Sequence, residues 1–305
     1  MKLLRSLCLL AFALAVLLAS SAAEAGVNVV ATTPDLAAIA RHVGGPAVQV
    51  TALALPTQDP HFVDARPNLA LALNRADLLI VQGLELEVGW LPALQSGAKN
   101  PKIQAGGSGY LDASQLVTAE DAPAGEVSRA QGDIHRGGNP HYLVDPRNGA
   151  KVARGIAAKL ATLDPGGAAG FLDRAQALDR EAADLATKQA ARFAALDASK
   201  RAIVVYHRSW SYLESWLGVT EVGAVEPKPG IPPDPAHVAG LLAKMRGAGV
   251  RAVVTEDYYP TTTSRLLADK SGAVLCVLAG GAGEAQGYLD HVRDDADRLF
   301  AALAR

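Results

Sequence analysis

DPGGAAGFLDRAQALDREAADLATKQAARFAALDA, residues 164–198, is the stretch on which the fold turns. Asp164-Pro165 supplies a helix start. Phe171, Ala175, Leu178, Ala182, Leu185, Gln189, Phe193 and Leu196 then recur at steps of four and three, one stripe interrupted only by Gln189. At about 1.5 Å per residue, some thirty residues reach on the order of 45 Å, enough to run the length of a two-domain body. The segment reads as a rigid backbone helix with a lobe at each end.

Working outward, the two flanks carry the same order of elements. Upstream, Val27 to Ala31 reads as a strand, Pro34 to Val43 as a helix and Val48 to Leu55 as a second strand. The loop Pro56-Thr-Gln-Asp-Pro-His-Phe62 leads to a helix around Pro67 to Asn74. A third strand follows at Asp77 to Gln82, a short helix at Glu87 to Leu94 and a last strand at Lys102 to Gln104. Downstream, Ala202 to Tyr206 is a strand, Trp210 to Leu217 a helix and Val219 to Val225 a strand. Prolines forbid helix in Glu226-Pro-Lys-Pro-Gly-Ile-Pro-Pro233. Asp234 then caps a helix to about Arg246. Val250 to Thr255, Thr261 to Ser271, Ala273 to Leu278 and Tyr288 to Ala304 complete a strand, helix, strand, helix series. Unbroken apolar strands between helices are the mark of buried parallel sheets. The expected fold class is α/β: two lobes, each with a small parallel sheet and flanking helices, joined by the long helix. The expected divisions are residues 1–25, a signal peptide; 26–163, an N-terminal lobe with a crossover loop; 164–198, the linking helix; and 199–305, a C-terminal lobe.

Composition agrees with two ordinary cores. Of 305 residues 50% are hydrophobic and 20% charged, which argues against disorder. Lys+Arg 29 against Asp+Glu 31 gives a net charge of -2, so no nucleic acid is expected as a partner. Lys2 and Arg5, the apolar stretch Leu7 to Ala19 and the small-residue end Ser20 to Ala25 form a secretory signal pattern, with cleavage expected after Ala25. Cys8 directly follows Leu7 and not a small residue, a poor site for lipid attachment. Cleavage leaves Cys276 alone, so no internal disulfide can form. An exported, periplasmic, monomeric protein that rests on its core is expected.

The chemistry lies in the histidines. Ligands of open α/β sheets bind outside the carboxyl ends of the strands. His61 lies in the loop after the second strand, His207 one residue beyond the first strand of the second lobe, and Glu256-Asp257 after that lobe's third strand. His141 sits in the crossover segment Gly-Gly-Asn-Pro-His141, and His135 six residues earlier could swing over the same place. Pro60 and Pro140 immediately precede their histidines and stiffen both loops. Three imidazoles with a fourth position from carboxylate or water suit zinc. His42, His237 and His291 read as helix-surface residues, and Trp90, Trp210 and Trp216 as core or lobe-interface residues. Glu85 and Glu87 read as helix-start residues, paired with the helix dipole.

These residues, in this order, resemble a known family. Gln58-Asp-Pro-His61 with Arg66-Pro-Asn68, Ala76-Asp-Leu-Leu-Ile-Val-Gln-Gly83 and Asn139-Pro-His-Tyr-Leu-Val-Asp-Pro146 are similar to segments of the zinc/manganese solute-binding proteins of bacterial ABC importers. Val205-Tyr-His-Arg-Ser-Trp-Ser-Tyr212, Glu226-Pro-Lys-Pro-Gly230 and Val254-Thr-Glu256 extend the similarity over nearly the whole exported chain. The resemblance implies capture of a divalent metal and its delivery to a membrane permease driven by a cytoplasmic ATPase. It implies His61, His141 and His207 as the first three ligands. Manganese-type members place a glutamate at the third position, so His207 points to Zn2+ over Mn2+. The resemblance also implies an acidic fourth ligand after the last strand, where this chain has Leu278-Ala-Gly-Gly281. The fourth position is therefore open to Glu256, which is favoured, to Asp257, to water or to His135. The family's long histidine-rich loop is replaced by Ala105 to Arg136, with His135 alone.

Two other functions share this chemistry. A zinc hydrolase would use the open position to acidify water, with Glu256 as base. The chain has neither a His-Glu-x-x-His helix nor a Gly-x-Ser-x-Gly elbow, so no enzyme is expected. A periplasmic zinc chaperone or buffer would use the same ligands and differ only in its partner.

Overall fold

A computed structural model of the chain describes residues 26–125 and 135–305. The segment read as a signal peptide, residues 1–25, lies outside the described residues. The first lobe holds β1 (Val27–Ala31), α1 (Pro34–Gly44), β2 (Val48–Ala52), α2 (Pro67–Arg75), β3 (Leu78–Val81), α3 (Leu91–Gly97) and β4 (Tyr110–Asp112). Two long helices follow, α4 (Pro146–Leu163) and α5 (Ala168–Ala194). The second lobe holds β5 (Ala202–Val205), α6 (Ser211–Leu217), β6 (Thr220–Ala224), α7 (Pro235–Ala248), β7 (Ala252–Glu256), α8 (Thr261–Ser271), β8 (Val274–Leu278) and α9 (Tyr288–Leu303).

The two sheets repeat one topology. Their orders are β2-β1-β3-β4 and β6-β5-β7-β8, and every pairing is parallel. The central strands carry the register: Val29 stands opposite Val50 and Leu78, and Ile203 opposite Glu221 and Ala252. All four residues of β3 and all five of β7 are buried, as apolar strands covered on both faces should be.

The backbone helix runs for 27 residues, about 40 Å at 1.5 Å per residue. Its buried residues include Phe171, Ala175, Leu178, Ala182, Leu185, Gln189 and Phe193, the stripe expected from the spacing. Gln189, the polar member, donates through Nε2 to Asp297 Oδ1 at 2.9 Å and so satisfies its buried amide. One apolar cluster extends from Val29 and Ile39 in the first lobe through Ile156, Leu160, Phe171 and Leu178 to Val205, Val254 and Leu299 in the second. Each lobe adds a smaller cluster of its own, around Leu73 and Ile103 and around Val204 and Met245. The lobes thus share a core rather than merely touching.

Several local expectations differ from what is found. Lys102–Gln104 is no strand: Pro101–Ile103 makes one 3₁₀ turn, because Asn100 Oδ1 accepts from Lys102 N while its amide donates to the carbonyls of Leu73 and Ala76. The last strand of the sheet is Tyr110–Asp112, with Leu79 opposite Tyr110. Residues 84–90 form turns, and the helix begins at Leu91 rather than Glu87. α4 falls in a region assigned to no helix above; its Val152, Ile156 and Leu160 repeat every four residues and are fully buried, and Asp145 caps it through Arg147 N.

His291 is not a surface residue. It is 6% exposed, and its Nδ1 lies 2.9 Å from Asp35 on α1 while Nε2 lies 3.2 Å from Asp295 on α9. Burial alone would lower its pKa, but the two carboxylates outweigh it and hold the imidazole well above its ordinary value. The pair links the lobes. Asp35 also accepts from Ala282 N, and Asp295 from Ala279 N, which pins the loop after β8. Replacing His291 by alanine strands two buried carboxylates and should lower stability by about 3–5 kcal/mol in urea unfolding. Because the folded pKa is raised, this contribution is complete below about pH 6.5 and fades as pH rises through the folded value. The stability gap between wild type and His291→Ala is therefore expected to narrow above neutrality.

Candidate metal centre

The loops after β2 and β5 and the crossover before α4 meet where the carboxyl ends of the two sheets face each other. Among the described residues, His61, His141 and His207 are the group whose ligand atoms all lie within 4.8 Å of one another. Their ring centroids are 5.2 Å apart for His61 and His141, 5.3 Å for His61 and His207, and 5.5 Å for His141 and His207. Each lobe supplies one ring and the crossover the third.

Local hydrogen bonds aim each ring. Asp59 Oδ1 accepts from His61 N at 2.9 Å and from His61 Nδ1 at 2.7 Å, so backbone and ring are held by one carboxylate. Glu226 Oε2, in the proline loop after β6, accepts from His207 Nδ1 at 2.8 Å and from Gly230 N at 3.1 Å. With Nδ1 donating, the free electron pair of each imidazole is on Nε2. His141 is positioned by its backbone, which donates to Asn139 Oδ1 at 3.0 Å. Asn139 is in turn fastened to the second lobe through Arg208 O and Ser211 Oγ. His141 Nε2 is buried without a hydrogen-bond partner among the described residues. Such an atom is uncommon in a folded protein and marks a place built for something else.

Electrostatics keep these groups in the states a cation needs. Burial would raise the pKa of Asp59, but the hydrogen bond and charge of His61 outweigh it and hold the carboxylate below its usual range. Burial, reinforced by neighbouring imidazoles, pushes His141 well below its ordinary value and His135 down to about 4. Both rings are therefore neutral at neutral pH, and nitrogen must be unprotonated to bind a metal.

The further sequence candidates fall differently. His135 Nε2 stands 3.3 Å from His61 Nε2, and the two rings stack at 5.3 Å. Glu256, the last residue of β7, lies outside the three-imidazole group, and so does His135, which meets the group at His61. Its Oε1 accepts from Ser209 Oγ at 2.6 Å and its Oε2 has no partner among the described residues. It borders, with His141, Ser209 and Trp210, a cavity of about 70 Å³ at the seam of the lobes. Burial pushes its carboxyl up to about 8. Asp257 is engaged by Gly280 N at 3.1 Å, and Tyr258 fills the space beside Gly280, where a Cβ would come within 2.3 Å of the ring. The loop after β8 thus offers the site no side chain. On its open side the centre faces a cleft of about 770 Å³ lined by His135, His141 and His207 together with Asp121, Glu214 and Glu221. Burial and Glu221 raise the Glu214 carboxyl to about 7.

Sequence reasoning did not single out Asp59 or Glu226 as partners of the histidines. Asp59 was legible, since an acidic residue two positions before a histidine can reach both its amide and its ring. Glu226 was not, because 19 residues separate it from His207. Of the other histidines, His42 is exposed as expected, while His237 Nε2 is bonded to Ala224 O at 3.0 Å. Trp90 and Trp216 are buried and donate to Pro60 O and Val144 O, in keeping with core and interface roles.

The chain is similar to known proteins in sequence and in fold. Residues 29–302 match the family described as "Zinc-uptake complex component A periplasmic". The manganese ABC transporter substrate-binding lipoprotein PsaA of Streptococcus pneumoniae is 27% identical over 241 residues, 75% of this chain and 72% of that protein. A zinc-bound crystal structure of a ZnuA 138–173 deletion mutant superposes with a TM-score of 0.76 at 21% identity, over 91% of this chain and 98% of that one. The laminin-binding protein Lmb of Streptococcus agalactiae, titled as having adhesin and metal-transporting activity, gives 0.76 at 21% identity, over 91% and 100%. At these identities the structural matches speak for the fold alone.

The Glu256 carboxyl is expected to titrate near pH 8 when followed by its ¹³C resonance. Ser209→Ala removes a hydrogen bond to the charged form, worth about 1.5 kcal/mol, and should move the midpoint up by about one pH unit.

Proposed function

Since the chain belongs to the zinc-uptake component A family, whose members are metal-binding components of ABC importers and not enzymes, we propose that it captures zinc between its lobes. His61, His141 and His207 are the ligands in this reading, and the metal is passed to a membrane permease worked by a cytoplasmic ATPase. The observation that carries it is the convergence of three imidazoles from two lobes and the crossover, with ligand atoms within 4.8 Å of one another. Two of these rings turn Nε2 forward because a carboxylate holds Nδ1. A fourth nitrogen, His135 Nε2, stands 3.3 Å from that of His61. It takes the fourth place in this reading, ahead of Glu256. Neutral nitrogen donors favour zinc, whereas manganese prefers carboxylate, carbonyl and water oxygen. Manganese is named for relatives such as PsaA, so the choice of metal is the point to test.

Capture is local in this account. A shared core and the His291 ion pairs limit lobe opening, so the loops bearing His61, His135 and His141 do most of the adjusting. The exported, periplasmic location follows the same reading, in which residues 1–25 are removed on export.

Zinc titration of the purified chain should give one zinc per chain, with manganese competing poorly. His207→Glu should lose that preference, and His61→Ala should weaken zinc binding by about 1–3 kcal/mol or more. Equal affinity of the wild type for both metals would overturn the zinc reading, and no stoichiometric metal would overturn capture itself. Asp59→Ala and Glu226→Ala leave the ring nitrogens in place but free to rotate, and each is expected to weaken zinc binding about 10–100-fold in a competition assay.

A further inference from the structure

The segment from Gln82 to Trp90, between β3 and α3, holds the loops of three imidazoles, each through a residue next to the histidine. Gln82 Nε2 donates to Pro140 O at 2.7 Å, one residue before His141. Trp90 Nε1 donates to Pro60 O at 3.0 Å, one residue before His61. Glu85 Oε2 accepts from Arg136 N at 3.0 Å, one residue after His135.

The backbone of this segment is unusual. Gly83, Leu84 and Glu85 have φ of 79°, 51° and 66°, three consecutive left-handed residues of which two carry side chains. L residues adopt this region rarely, and a turn of this kind persists only when its surroundings over-determine it. Glu87 does so from within: its buried carboxylate accepts from Gln82 N at 2.6 Å, from Gly83 N at 3.2 Å and from the Thr32 hydroxyl. The turn faces Gly137, two residues after His135, where a Cβ would come within 2.8 Å of Leu84 Cδ2, while Gly138 lies against Ala119 and Glu120. A stretch with two glycines has little conformational preference of its own. Its place is set from outside, by Leu84 and Glu85 at Arg136 and Gly137 and by Ala119 and Glu120 at Gly138 and Asn139.

We propose that Glu85 is a positioning residue of the metal centre, which through the Arg136 N–H holds His135 beside His61, from where it supplies the fourth nitrogen ligand. This rests on the capture of zinc by His61, His141 and His207 and adds to it the device that completes the coordination. Glu85 does not touch the metal; it acts through the backbone beside the ligand.

A double-mutant cycle on the full chain tests this, with zinc affinity measured by chelator competition and coordination read from the visible d–d bands of bound Co2+. Glu85→Ala and His135→Ala are each expected to weaken zinc about tenfold, in the range of outer-shell losses. Both should give the same altered cobalt spectrum, and the double variant should be no weaker than either single one. Glu85→Gln keeps an accepting oxygen without the charge and should recover wild-type affinity and spectrum. Four results would overturn the proposal: wild-type affinity and spectrum in Glu85→Ala; losses that add in the double variant; Glu85→Gln as weak as Glu85→Ala, which would make Glu85 a long-range charge only; or metal-free Glu85→Ala that unfolds at a clearly lower temperature, which would make its role structural. Absence of stoichiometric zinc from the wild type would instead overturn the capture reading and the proposal with it.

Discussion

The constraint on which the rest depends is the apolar cluster that α4 and α5 share with both sheets. A site assembled from two lobes needs their facing edges held at a fixed separation, because imidazole nitrogens bind one ion only when they converge within a few ångströms. Here Phe171, Leu178 and Phe193 on one helix, with Ile156 and Leu160 on the other, belong to the same apolar cluster as Val29 of β1 and Val205 of β5. The backbone helix is therefore no tether between independent bodies. It is the inner layer of one continuous core, and interiors packed to such density transmit strain instead of yielding to it. The His291 ion pairs with Asp35 and Asp295 add a polar fastening at the seam, beside the loop that follows β8.

Upon that frame the centre is tuned by two different means. His61 and His207 are each held by a carboxylate that fixes the tautomer and turns Nε2 inward. His141 and His135 have no such partner among the described residues and are kept neutral by burial and by the neighbouring rings. The result is a nitrogen-rich cluster whose negative charge sits one step away, on Asp59 and Glu226. Charge compensation for a divalent ion is then available without an oxygen ligand, which is the combination that favours zinc. Glu256, buried and bonded to Ser209, lies to one side of the cluster, at the seam cavity.

Much of this was legible in the chain before any coordinate. The stripe from Phe171 to Phe193, the repeated order of strands and helices, and the placing of His61 and His207 beyond strand ends all follow from local periodicity. Local pattern misled where a side chain distant in sequence decided the backbone. Asn100 bends Pro101–Ile103 away from strand by binding the carbonyls of residues 73 to 76, and Glu87 curls its own strand end into a left-handed turn instead of opening a helix. α4 has regular spacing at Val152, Ile156 and Leu160, yet its pairing with α5 is plain only from the core they share.

The sequence by itself determined the architecture and singled out the histidines that converge, because periodicity, proline loops and histidine positions are properties of short segments. Only the tertiary structure decided which groups meet. It joined His207 to Glu226 across 19 residues, His61 to His135 across 74 and His291 to Asp35 across 256. It also left Glu256 outside the imidazole group although its strand end faces the same edge. The reason is physical: a hydrogen bond or a coordination sphere depends on distances of about 3 Å, and for residues far apart in the chain those distances are set by how the two lobes pack on their common helices.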